Sequence, residues 1–233
     1  MNFFKKISPK FVAFLIIVYL SFTLTGCPSA PLIKTDKAIA ELWVTYYAYL
    51  KLNEKEEALW LEYNVMVNKV NAIKDDMAGL AIREKEKIGK LSQEGLDINA
   101  EEKEMLSKIR ECFYDKSNII SKLQGIVTKI TDPSINLLAQ EMADKLREIN
   151  NLEIEKLGLF EKEIGYSYSL FKDGLFVSQG KMTMEELIKS AEEREGEIEE
   201  NHERLYELRN TIEALIAEVS DLTAKLESLT MPK

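Results

Sequence analysis

The sequence predicts an all-α fold, an elongated up-and-down bundle of about four long helices with coiled-coil-like packing, and three observations predict it. After Pro31 the next proline is Pro133 and the one after that is Pro232, so two long stretches contain nothing that removes a backbone donor. Between them the chain is rich in Glu, Lys, Leu, Ala and Ile, residues that lose little on entering a helix. Apolar residues recur at alternating spacings of three and four, the period of a helix face turned toward neighbours. No segment reads as a strand.

Three breaks divide the periodic region, which runs over 36–233. Gly95 to Asn99 interrupts the first stretch, with Gly95 as a C-terminal cap and Asn99 as an N-cap followed three residues later by Glu102. Asp132-Pro133 forms the second, Asp132 capping and Pro133 taking the first helical position. The third runs from Gly180 to Thr183, where Thr183-Met184-Glu185-Glu186 is a capping box. The expected helices are therefore 36–92, 100–131, 133–178 and 184–229.

Each helix offers an apolar stripe. The last has the most regular heptads: Met184, Ala191, Ile198, Leu205, Ile212, Val219 and Leu226 at a, and Leu187, Arg194, Asn201, Leu208, Leu215, Leu222 and Leu229 at d. This seam either packs within the chain, with Asn201 fixing register, or pairs two chains from Leu205 to Leu229. The second helix places Met105, Ile109, Cys112, Ile119, Leu123, Ile126 and Ile130 on one face, with Lys116 as its polar exception. Cys112 thus reads as a small core residue rather than a reactive thiol. The third carries Ile135, Leu138, Met142, Leu146, Ile149, Leu157, Phe160, Ile164, Phe171 and Leu175. The first carries Leu59, Tyr63, Met66, Val70, Ile73 and Met77, but crowds Trp43, Tyr46, Tyr47 and Tyr49 onto more than one face. At about 1.5 Å per residue the first helix would run on the order of 80 Å and the second about 50 Å. Residues 36–58 then either protrude as a stalk or lie under the end of the last helix.

The N-terminus carries a separate signal. Lys5, Lys6 and Lys10 precede an apolar run from Phe11 to Leu20, the charged and apolar regions of a signal peptide over 1–26. The run is too short for a mature transmembrane helix, which needs about 20 apolar residues. Leu24-Thr25-Gly26-Cys27 follows and resembles the lipobox of bacterial lipoproteins. That resemblance implies cleavage before Cys27 and a diacylated cysteine at the new N-terminus. Two acyl chains, at about 0.8 kcal/mol per buried CH₂, give stable anchoring where one does not. Residues 27–35, with Pro28 and Pro31, then form a short tether. The expected location is the cell membrane, lipid-anchored and facing its extracytoplasmic side.

Charge and chemistry narrow the function. The whole chain has 31 bases, 40 acids and a net charge of −9; without residues 1–26 the net charge is about −12. Nucleic acid is disfavoured as a partner, because its binding rests on neutralising phosphates with Lys and Arg. With Cys27 assigned to lipid, no internal disulfide can form. One histidine cannot supply the paired Glu-x-x-His motifs of a di-iron bundle, and Glu199 with His202 reads as a solvated pair. Motifs for phosphate loops, serine hydrolases and zinc proteases are missing from the sequence. The expectation is therefore a non-enzymatic protein without catalytic residues, metal or cofactor. The best claim to binding lies at the end of the third helix, where Tyr166, Tyr168, Phe171 and Phe176 accompany Gly158, Gly165, Gly174 and Gly180. Such glycines suggest kinking or close approach, and the aromatics suggest a groove for a sugar or a partner helix.

In these features the chain resembles the cell-wall-binding lipoproteins of Gram-positive bacteria, which join a lipobox to an all-helical, Glu- and Lys-rich domain. The likeness is carried by Phe160-Glu161-Lys162-Glu163, the Tyr166 to Phe176 aromatics, Met184-Glu185-Glu186-Leu187 and Ile198-Glu199-Glu200-Asn201 in that order. It implies a role at peptidoglycan or the wall and supplies no catalytic residues. A strongly acidic domain is repelled by anionic polymers, so wall binding would need cation bridging or aromatic contacts. A second envelope protein is an equally good partner on that ground.

Overall fold

A computed structural model describes residues 37–80 and 84–231. Cys27, the lipobox residues Leu24, Thr25 and Gly26, and the Pro28 to Pro31 tether lie outside the described residues. The described residues form four long helices: α1 (Lys37–Ala78), α2 (Lys85–Val127), α3 (Pro133–Ser178) and α4 (Met184–Thr230). Each helix packs on the next in the up-and-down order that short connections impose. Among the described residues no helix is long and apolar enough to cross a membrane.

Two of the three breaks fall where the sequence puts them. Asp132 accepts from the backbone N–H groups of Ser134 and Ile135, and Pro133 opens α3. Asn136 reaches back from α3 and donates to the carbonyls of Val127 and Ile130, which closes the end of α2 four residues earlier than expected. The capping box at α4 forms in full, with Thr183 and Glu186 each satisfying the other's backbone N–H.

The first break is different. Gly95 and Asn99 lie inside α2, and the break between the first two helices falls earlier, with α1 ending at Ala78 and α2 beginning at Lys85. The reason is tertiary. Gly95 sits against the buried Phe171 ring, where a Cβ would come within 2.5 Å of the ring carbons, so it is a point of close approach and not a cap. Gly174 plays the reciprocal part on α3, its face pressed on Ser92 and Met77. Asn99 spends its amide on Glu102 of its own helix, at 2.7 Å. The four helices therefore have nearly equal lengths of 42, 43, 46 and 47 residues.

That equality removes the stalk. Leu42, Trp43 and Tyr46 are buried beneath the C-terminal end of α4. Trp43 Nε1 donates to Thr230 Oγ1 at 3.1 Å, and the Thr223 hydroxyl meets Tyr46 Oη at 3.3 Å. The α4 seam is filled within the chain from Leu208 through Leu226, while Leu229 is exposed.

The core is divided along its length. A proximal compartment takes residues from all four helices, from Leu42 and Tyr49 to Leu123, Met142 and Leu226. A middle compartment draws on α1, α2 and α3 only, around Tyr63, Leu106, Phe113 and Leu157. A distal one gathers Val70, Ile73, Met77, Ile88 and Phe171, with Met184 at its edge. Between Leu187 and Leu208, α4 buries a single residue, Asn201. In that stretch its a positions, Ala191, Ile198 and Leu205, are only half covered.

Candidate functional site

Polar residues separate the three compartments in two layers, the first buried and the second open to solvent at His202, and these layers are the chemically distinctive part of the bundle. The first lies between the proximal and middle compartments. Lys116, the exception in the α2 stripe, forms an ion pair with Glu56 of α1, and both side chains are almost wholly buried. Trp60 Nε1 donates to the other Glu56 oxygen at 2.9 Å. The Lys116 ammonium also lies over the rings of Tyr49 and Phe113, at 5.3 and 5.6 Å from their centroids. On α3, Glu153 pairs with Lys156, whose ammonium stands 5.1 Å from the Trp60 centroid. Asn150 donates to Ser117 Oγ and to the carbonyl of Phe113. Burial pushes the Glu153 carboxyl above its ordinary value and the Tyr49 phenol well above its own.

The second layer lies between the middle and distal compartments and includes α4. Asn99 holds Glu102 on α2. On α3, Glu163 accepts from His202 Nε2 at 3.0 Å and lies 3.5 Å from Asn201 Nδ2, which also donates to the Leu159 carbonyl. Lys74 of α1 acts on both carboxylates through space. Burial holds the Glu102 and Glu163 carboxyls above the usual carboxylate range, despite the hydrogen bonds and Lys74 that pull them down. It also pushes the Lys74 ammonium below its ordinary value. His202 is thus partnered by Glu163 across the helix seam rather than by Glu199.

Two further clamps tie the same stretch of α4 to α3. Arg194 and Ser190 both bind Asp173, at 2.9 Å each. Arg204 bridges Glu155 and Glu207. Over the same stretch Glu192, Glu193, Glu195, Glu197, Glu199, Glu200 and Glu203 are all exposed. Spacings of four between several of them set like charges side by side, which weakens a helix slightly at each pair.

The four aromatic residues expected to line a groove do not converge. Phe171 is interior. Tyr168 is exposed beneath Lys103 of α2, 4.8 Å from its ring, and Phe176 is half-buried between Lys172 and Lys181. Tyr166 faces Glu197 and Glu200 of α4. At about 100° per residue, steps of two, three and five residues rotate them to different sides of α3. Close approach accounts for Gly174 alone among the accompanying α3 glycines; Gly158 and Gly165 face open space.

Sequence reading found Lys116 and Asn201 as polar exceptions in apolar stripes and set Glu102 beside Asn99, though as part of a helix cap, but missed Glu56, Glu153 and Glu163. The only available signal was a Glu at a helix position whose heptad neighbours are apolar. Among the described residues no three His, Cys, Asp or Glu converge in a way that could hold a metal ion. Compared with protein-family profiles, with curated proteins and with solved structures, the chain matches none.

Proposed function

We propose that this protein is a membrane-anchored envelope lipoprotein, held by lipid on Cys27, whose helical bundle acts by binding the cell wall or another envelope protein. The observation that carries the reading is the sequence of a charged segment, an apolar run and Leu24-Thr25-Gly26-Cys27 in register. The fold supports it in two ways. Helix α1 begins ten residues after Cys27, so the end formed by the start of α1, the α2–α3 turn and the end of α4 stands nearest the anchor. The opposite end, at the α1–α2 and α3–α4 turns, is displaced by the length of a 42-residue helix, roughly 63 Å at 1.5 Å per residue. In addition, Leu208, Ile212, Leu215, Val219, Leu222 and Leu226 are buried against the chain's own helices. They are not on offer as a dimer seam, which favours recognition of another molecule over self-association.

Two measurements test the two halves of the proposal. Intact mass of the full chain extracted from membranes of a lipoprotein-processing bacterium should show loss of residues 1–26 and gain of two acyl chains at the N-terminus. Retention of those residues, or an unmodified Cys27, overturns the anchoring half. The same protein in proteoliposomes should co-sediment saturably with purified sacculi, with chelator-sensitive binding if divalent cations bridge acid to acid. No binding with millimolar Ca²⁺ or without it moves the proposal to a protein partner, identified by crosslinking in the native membrane.

A further inference from the structure

We propose that the outer face of α1 is a homodimer seam, on which a second copy of this chain lies antiparallel. The inference does not depend on what the bundle binds, and it leaves the α4 seam inside the chain. Along the side of α1 turned away from the core, Ala58, Leu61, Val65, Asn68 and Ala72 are all exposed, at the alternating spacings of three and four that make one stripe of a helix. Leu61 and Val65 are 64% and 55% exposed, and no charge stands on the stripe between Glu54 and Asp75. Outward positions of the neighbouring helices carry charge instead, such as Glu104 and Lys108 on α2 or Glu148 and Glu155 on α3. An apolar strip with polar edges, repeating every seven residues, is the pattern of a two-helix seam.

Charge identifies the occupant. One edge of the stripe carries Lys55, Glu62, Lys69 and Asp76, one every seven residues, with signs that alternate. All four are exposed, and none forms a side-chain ion pair or hydrogen bond among the described residues. The other edge carries Glu57, Asn64, Asn71 and Ala78. Reversing an alternating series exchanges its signs, so an antiparallel copy offers each charge its opposite. In the register that sets Leu61 opposite Ala72 of the second copy and Val65 opposite Asn68, Glu62 meets Lys69 and Lys55 meets Asp76, each twice by symmetry. On the other edge Asn64 meets Asn71, whose amides both donate and accept, and Glu57 meets Ala78. A slip of seven residues in either direction brings like charges together on the first edge. A parallel copy in register sets Glu57 against Glu62 and gains no opposite pair. The two-fold axis crosses α1 between Val65 and Asn68; laid along a membrane normal, it lets the N-terminal ends of both copies reach one membrane.

The test is sedimentation equilibrium of the full chain in density-matched detergent micelles. A seam one helix wide belongs with the small, weak interfaces, so the mass should climb from one chain to two with concentration across the micromolar range. Glu62→Lys turns both Glu62–Lys69 contacts into repulsions and should raise Kd about tenfold, a modest change because exposed pairs are individually weak. Combining Glu62→Lys with Lys69→Glu exchanges the signs and should return Kd to its starting value, a rescue that lost packing would not show. Orientation is read by oxidising mixed cysteine variants, with the unsubstituted chain as the blank. The Leu61→Cys chain should crosslink to the Ala72→Cys chain, and neither to itself. A chain that stays monomeric to millimolar concentration would leave the stripe to another partner or to water, and the proposal would be wrong. A dimer that ignores the charge exchange, or one in which Leu61→Cys crosslinks to itself, would place the seam elsewhere or make it parallel, and overturns it equally.

Discussion

Replacing Gly95 by alanine asks whether α2 is continuous and how closely it meets α3. In an unconstrained helix the change is favourable by about 1 kcal/mol, because glycine gives up more backbone freedom on folding. At Gly95 the new methyl would stand 2.5 Å from Phe171 Cε2 and Cζ, and Phe171 is fully buried. Overpacking of that kind costs about 1–3 kcal/mol, so the net effect is a loss of about 1 kcal/mol. Gly165, also inside a helix, has nothing within 4 Å of its would-be Cβ, and Gly165→Ala should gain about 1 kcal/mol. The same chemical change thus has opposite signs at two sites. For a chain of this size about 1 kcal/mol moves Tm by about 2–4 °C, so the two variants should melt about 4–8 °C apart. Thermal and urea unfolding followed by circular dichroism measures the difference. Gly95→Ala as stable as Gly165→Ala would refute the close approach, and would leave Gly95 an unhindered helix-interior residue, since alanine is strained at a left-handed helix-ending position too.

The polar layers and the thiol give three more predictions. Lys116→Met strands Glu56 in the core and should cost about 3–5 kcal/mol, whereas adding Glu56→Leu should restore much of it, because two apolar residues need no partners. A double-mutant cycle in urea reads this, and additive effects would refute the pairing. Glu102, Glu153, Glu163 and Glu227 all have carboxyls raised chiefly by burial. Each binds its proton more tightly folded than unfolded, so stability should rise as pH falls through their folded values and be complete below the unfolded one. The helix-capping carboxylates Asp132 and Glu186 are held below the ordinary range by hydrogen bonds. Their contribution is lost only at lower pH, so Tm plotted against pH should peak on the mildly acid side, and a peak at neutral pH or above contradicts the burial of the four. Cys112 is fully buried and burial pushes its thiol up; it should react with a thiol reagent only at the rate of unfolding, tracking urea concentration.

The sequence by itself determined the class of fold and most of its punctuation. Proline placement, helix-forming composition and three-four periodicity need only local physics, and so do the caps at Asp132 and Thr183. Local chemistry failed at Gly95 and Asn99, where the same residues that end helices elsewhere are used for close packing and for holding Glu102. Which use wins depends on Phe171 and on residues far away in the chain, which no window of the sequence contains. The aromatics near the end of α3 illustrate the same limit: their nearness in sequence becomes dispersal around a helix axis. Only the tertiary structure decided that Trp43 lies under Thr230, and it alone pairs Lys116 with Glu56 and Glu163 with His202. Each of these pairs depends on a partner supplied by another helix, and the register between helices is set by the packing of all of them together.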